Sequence, residues 1–232
     1  MTQRLREELV VTARRMSDLG LTPGMSGNIS VRTPRGLLVT PSGLPYTDLV
    51  GDDAVEIGLD GRVRPGQRTP STEWQLHRDI LGSRPDVQAI VHTHSLFCTT
   101  ISTLRRSIPA IHYMIVLAGP TMEEGGLAPS PGADEIPCAD YATFGSAELA
   151  SNAIVALGGG HACLLANHGM VALGKSLPAA LRLAAEVETL ASQYWHAAQI
   201  GTPHILDHGE LDKVRAKFAS YGQHKPRTRR SW

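Results

Sequence analysis

Two short β-rich runs, Ile29 to Arg32 and Gly36 to Thr40, are separated only by Thr33-Pro34-Arg35-Gly36. A connection that short joins adjacent antiparallel strands, because a parallel return needs a crossover of a dozen or more residues. A third run, Ala54 to Val63, turns at Asp60-Gly61. Strand pairing of this kind rules out a simple βαβ repeat, yet helical patterns are interleaved with it. Leu5, Leu9, Val10, Ala13, Met16 and Leu19 recur at helical spacing and stop at Gly20, predicting a helix over 4–19. Thr72, with Gln75 three residues on, has capping-box spacing and opens a second helix. Residues 146–157, 177–200 and 209–220 read as further helices, and 87–91, 108–119 and 162–166 as strands. The Gly/Pro-rich stretch 121–137 reads as a loop. The expected fold is α/β, a single domain of three α/β/α layers around a mixed, mainly antiparallel sheet. It spans 1–232, with a core over about 5–222 and a basic tail over 223–232.

The strand Val87 to Val91 runs into His92-Thr93-His94. Residues i and i+2 of a strand face the same way, so the two imidazoles, about 6.6 Å apart along the chain, turn toward one point. A third imidazole, His168, directly follows the apolar run Ala162 to Ala166 and precedes a glycine. Three histidines at strand ends, without a fourth Cys or His at close spacing, match a catalytic zinc with an open coordination position better than a closed structural site. The other seven histidines, His77 and His112 among them, read as surface or structural. Cys98, Cys138 and Cys163 are widely spaced and form no CxxC, which fits reduced thiols.

Composition narrows the partners. Twenty-two basic and 22 acidic residues cancel, giving nucleic acid or a membrane surface no electrostatic hold on the chain as a whole. No apolar run approaches the ~20 residues that span a bilayer, and the N-terminus is charged where a signal peptide is apolar. A cytosolic enzyme acting on a small molecule is expected.

Glu73, just after the presumed cap Thr72, sits where a helix dipole favours an ionised carboxylate. Near it in type are the small, hydroxyl-bearing loops Gly24 to Ser30 and Thr40 to Gly43, and the helix start Ser71-Thr72. Backbone N–H groups and hydroxyls in such loops suit a phosphate dianion.

The ordered stretches GMSGNISVR, TPSGLPY, STEWQLHRDIL, VHTHSLFCTTIS, IPAIHYMI, PCADYATFG, LLANHGMVALG and KFASYG resemble the class II, zinc-dependent aldolases of the aldolase/adducin family. The likeness runs from about residue 5 to residue 222. It implies that His92, His94 and His168 bind zinc, or manganese or cobalt in its place, and that Glu73 is the acid/base. It puts Gly27, Asn28, Ser42, Gly43, Ser71 and Thr72 on the substrate phosphate. Tyr113, from a neighbouring subunit, protonates the aldehyde oxygen, with Phe144 and Tyr221 near the aldehyde pocket. The implied fold has a mixed nine-stranded sheet, assembled as a homotetramer with sites between subunits. The implied reaction splits a ketose 1-phosphate, L-fuculose 1-phosphate or a related deoxy sugar phosphate, into dihydroxyacetone phosphate and a short aldehyde. Decarboxylases, dehydratases and 4-epimerases of the family use the same histidines, but the epimerases carry aspartate where this chain has Glu73. A non-catalytic adducin-like module is disfavoured by the intact histidines. The segment from Thr121 to Glu135 is longer than in the fuculose phosphate enzymes and adjoins the aldehyde side.

Overall fold

In the computed structural model, which describes residues 2–120 and 134–220, the hairpin is present. β1 (Asn28–Thr33) and β2 (Gly36–Val39) pair antiparallel with Thr33 opposite Gly36. β3 (Val55–Gly58) continues the sheet beside β2, and a bridge from Ile57 to Val63 closes the turn at Asp60-Gly61. β4 (Ala89–Thr93), the two-residue β5 (Cys138–Ala139), β6 (Ala162–Leu165) and β7 (Gly169–Gly174) complete it. The order is β3-β2-β1-β4-β7-β6-β5, and every neighbouring pair is antiparallel except β5 with β6. The sheet is mixed and mainly antiparallel as expected, with seven strands among the described residues where nine were implied.

Alternation along the strands divides the core in two. Ile29 and Val31, Ala89 and Val91, Met170 and Ala172 face one side. α1 (Thr2–Asp18), α3 (Leu96–Ser102) and α5 (Leu177–Ile200) cover it. Ile90, Cys163, Val171 and Leu173 face the other side, under α2 (Trp74–Ser83) and α4 (Ala147–Leu157). Ile90 and Leu164, one in each core, are fully buried, and truncating either to alanine costs about 2–5 kcal/mol. By the same parity Asn28, Ser30 and His92 take the α2 face. The register sets Asn28 directly opposite His92. α6 (His208–Ser220) follows α5 and packs on the segment containing Tyr113.

Three local expectations are corrected. The second helix begins at Trp74, so Thr72 is not its cap; Glu73 holds the N-cap position and makes no side-chain cap bond. Its carboxylate is committed to histidines instead. The run Ile108 to Gly119 is not a strand. Only Ile108 keeps a bridge, to Ile136, and Tyr113–Leu117 is a 3₁₀ helix. Pro109 cannot donate to a ladder, and the chain buries Ile115 and Val116 by turning. His112 therefore precedes a helical turn, where its Nδ1 accepts from the Met114 N–H at 3.2 Å. Finally, α3 was not foreseen. Its first N–H groups are satisfied by Glu188 of α5, which accepts from Phe97 N (2.8 Å), Cys98 N (2.9 Å) and Ser95 Oγ (2.7 Å). Tyr221, residues 121–133 of the long loop and the basic tail lie outside the described residues.

Candidate metal centre

Near its end β4 carries His92 on the α2 face, and its immediate continuation carries His94 alongside. β7 pairs with β4 so that Thr93 stands opposite Met170, which brings the connection Ala166 to His168 to the same end of the sheet. Asn167 there has φ +54°, a left-handed conformation that asparagine tolerates better than most residues. Gly169 is required by closeness, since a Cβ would lie 2.2 Å from the Thr93 carbonyl oxygen. The three rings meet edge to edge, with centroids 4.9, 4.8 and 4.7 Å apart.

α2 delivers Glu73 into this cluster. Its Oε2 is 3.1 Å from His92 Nε2, and its Oε1 is 3.2 Å from His168 Nε2. The second contact lies outside hydrogen-bond geometry, so Oε1 is buried without a hydrogen-bond partner among the described residues. His92 Nδ1–H donates to the Met170 carbonyl at 2.9 Å, leaving its Nε2 lone pair directed at His94 Nε2, 3.0 Å away. Two basic nitrogens and a carboxylate at such distances call for a shared cation. Tetrahedral ligands at about 2.0–2.1 Å from an ion stand roughly 3.3 Å from one another, close to these separations. All four ligand atoms lie within 4.8 Å of one another. The residues therefore fit a divalent metal, with the carbonyl behind His92 fixing its tautomer.

The electrostatics agree. Burial alone raises the pKa of Glu73, but the imidazoles of His92 and His168 overcome it and hold the carboxyl well below its usual range. Burial lowers His92, yet the Glu73 charge outweighs this and raises it. Burial, then repulsion from His92 and His168, lowers His94 to about 4. Neutral imidazole is the form that binds metal, so an ion here would take the place of the proton that Glu73 favours on His92.

Gly27, Asn28, Ser42, Gly43, Ser71 and Thr72 line one cavity of about 380 Å³ together with Glu73, His94, His168 and Phe144. The loops are stapled to each other: Ser71 N donates to Thr40 O at 3.1 Å and Ser42 N to Thr69 O at 3.0 Å. Gly27 has φ +83°, and a Cβ there would lie 2.7 Å from the His92 carbonyl oxygen. No Lys or Arg is among the residues lining this cavity. Met25, Tyr141, Ala142 and Asn167 also line it and were not singled out beforehand; the positive φ demanded by a tight strand connection was the available signal for Asn167. Tyr113 is not brought into this cavity. It is 46% exposed and lines a second one, of about 640 Å³, with Met114, Leu206, Glu210, Val214, Lys217 and Phe218. No described helix is long and apolar enough to cross a membrane.

The sequence profile of the class II aldolase and adducin N-terminal domain matches residues 7–195. Over 218 residues the chain is 49% identical to the 5-methylthioribulose-1-phosphate/5-deoxyribulose-1-phosphate aldolase of Rhodospirillum rubrum, covering 94% of this chain and 92% of that protein. Over 220 residues it is 42% identical to the L-fuculose phosphate aldolase of Escherichia coli, covering 94% and 96%. A solved L-fuculose 1-phosphate aldolase superposes with a TM-score of 0.84 at 34% identity, covering 93% of this chain and 96% of that one.

Proposed function

Since the chain belongs to the class II aldolase and adducin family, whose class II aldolases are metal-dependent lyases, we propose that it cleaves a deoxy ketose 1-phosphate into dihydroxyacetone phosphate and a short aldehyde. The observation that carries this is the buried Glu73 carboxylate between His92 and His168, in one cavity with the Gly/Ser loops. The named substrates of the relatives are ketose 1-phosphates ending in a deoxygenated or methylthio carbon. We rank 5-deoxyribulose and 5-methylthioribulose 1-phosphate first, on the higher identity to the Rhodospirillum enzyme, and L-fuculose 1-phosphate second.

His92, His94 and His168 hold zinc, or manganese or cobalt, in this reading. When bound, the ion supplies Lewis-acid stabilisation of the negative charge that develops on the ketone side of the breaking bond. Gly27, Asn28, Ser42, Gly43, Ser71 and Thr72 grip the phosphate through N–H groups and hydroxyls, which places the reacting carbons beside Glu73. Glu73 gives a proton to the donor carbon from which the aldehyde has departed, and takes it back in the synthetic direction. Tyr113 of a neighbouring copy exchanges the proton on the aldehyde oxygen, with Phe144 and Tyr221 around the aldehyde, in a homotetramer.

The test is to load the protein with zinc, offer the three ketose phosphates, and follow dihydroxyacetone phosphate with a coupled dehydrogenase. Release from at least one is expected. No release from any, with carbon dioxide formed from an acid phosphate, replaces the aldolase reading with a decarboxylase using the same residues.

A further inference from the structure

Asn28 and Ser30 are i and i+2 on β1 and face α2, while Glu73 and His77, four residues apart, face β1. The four side chains form one buried line. Ser30 Oγ is 2.7 Å from His77 Nδ1, His77 Nε2 is 2.5 Å from Asn28 Oδ1, and Asn28 Nδ2 donates to Glu73 Oε2 at 2.9 Å. All four are buried, and His77 is fully enclosed.

Proton positions along this line follow from chemistry. An ionised carboxylate only accepts, so it takes the amide NH₂ of Asn28 and leaves Oδ1 toward α2. That oxygen in turn requires a donor, so His77 is the Nε2–H tautomer and its Nδ1 accepts the Ser30 hydroxyl proton. Neutral imidazole has the one donor and one acceptor this pattern needs. Burial, reinforced by the charge of His92 and opposed by Glu73, lowers the pKa of His77 to about 3. The line therefore has a single direction, and a reversed Asn28 amide would put two oxygens against each other at Glu73.

We propose that His77 is a positioning residue: acting through Asn28, it fixes the amide so that its NH₂ group serves both Glu73 and the cavity. This rests on the reading of Glu73 as acid/base and of Asn28 as part of the phosphate cradle. Asn28 lines the cavity, and its NH₂ has a second hydrogen beyond the one given to Glu73. Reversal of the amide therefore weakens both the orientation of the carboxylate at the metal and the hold on the donor phosphate.

The test compares full-length H77Q, whose side-chain amide again offers an N–H toward Asn28, with H77L, which offers none. Three quantities are read at a temperature well below the unfolding transition of each variant: zinc affinity by competition with a chromophoric chelator, KM for the ketose phosphate, and kcat. H77L is expected to lose about 10- to 100-fold in zinc affinity or kcat/KM, as partners behind metal ligands typically do, with KM rising, while H77Q stays within a few-fold of the parent. A folded H77L with all three unchanged overturns the proposal, as does an H77Q equally folded and as impaired as H77L. Where H77L does not fold, S30A takes its place, since it frees the His77 tautomer without emptying the site; a few-fold loss in the same constants is expected and no loss overturns the proposal. A parent protein without aldolase activity whose zinc affinity still falls in H77L breaks the functional reading and leaves the positioning role standing.

Discussion

The histidine cluster and the segment carrying Tyr113, the two ends of the site in our reading, are held in opposite ways. His92, Asn28 and Glu73 are buried and joined to one another, and their places follow from strand register and one helix start. Tyr113 is half exposed on a short 3₁₀ helix, stacks on His112 and Phe218, and faces a cavity that none of the histidines of the metal cluster lines. An end fixed by backbone pairing within one chain tolerates no reshaping without loss of the sheet. An end carried on a surface element is free to vary, and in our reading a neighbouring copy brings it to the chemistry. Strict donor handling and variable aldehyde choice are the functional counterparts of that difference in our reading.

Breaking the fixed end is expected to give the largest effects. His92→Ala removes the imidazole of the cluster that the Met170 carbonyl holds, so metal analysis of the purified protein should show lost zinc, and kcat/KM should fall by more than about 10⁴-fold, the scale of the charge stabilisation a metal supplies. Full metal occupancy in this variant would remove His92 from the ligand set. Glu73→Gln should keep the zinc but lose about 10²- to 10⁴-fold in turnover, because the amide preserves shape and cannot transfer the proton. Near-normal turnover would reduce Glu73 to a structural partner of His92 and Asn28.

Legibility in the sequence follows the same division. His92 and His94 were readable because a strand repeats every two residues and the run before them is apolar. The hairpin was readable because four turn residues leave no other return. Glu73 was found but its setting was misread: the cap pattern at Thr72 and Gln75 is local, whereas the carboxylate answers to histidines about 20 and 95 residues on. α3 carries Thr99, Thr100 and Ile101, β-branched residues with little helical preference, and its cap, Glu188, comes from another helix. The Tyr113 segment is apolar and β-branched, so it looked like a strand; only the missing ladder partner tells otherwise. His77 was read as surface or structural, since nothing in its neighbourhood announces Asn28.

A smaller effect tests whether the exposed end works between copies. Tyr113→Phe removes the hydroxyl of a half-exposed side chain, so stability should stay within about 0.5 kcal/mol while turnover falls by roughly 10²-fold, the low end for a general acid. The sharper measurement mixes Tyr113→Phe chains with His92→Ala chains, after unfolding and refolding together. Hybrid oligomers then contain sites that combine intact histidines from one chain with an intact tyrosine from another. Activity above that of either variant alone is expected, and a mixture no better than the Tyr113→Phe protein would confine Tyr113 to its own chain's site.

The smallest expected change lies at the rim of the metal-side cavity. Phe144 lines the metal-side cavity yet is 63% exposed, and the next residue, Gly145, approaches the Thr72 carbonyl, which a Cβ would meet at 3.1 Å. The backbone here is thus packed against Thr72, part of the phosphate cradle in our reading, while the ring reaches outward. Phe144→Ala should leave stability nearly unchanged, because little of the ring is taken from water in the single chain. If the ring touches only the aldehyde, its loss should change relative rates among short aldehydes by up to about tenfold, the scale of one apolar group in a pocket. KM for dihydroxyacetone phosphate in the synthetic direction should stay within about twofold, since binding at the two ends is separable when the fragments share few contacts. A uniform loss over all aldehydes with a raised donor KM would mean that Phe144 supports the cradle through Gly145 and Thr72, and the boundary between the fixed and variable ends would then move outward to include it.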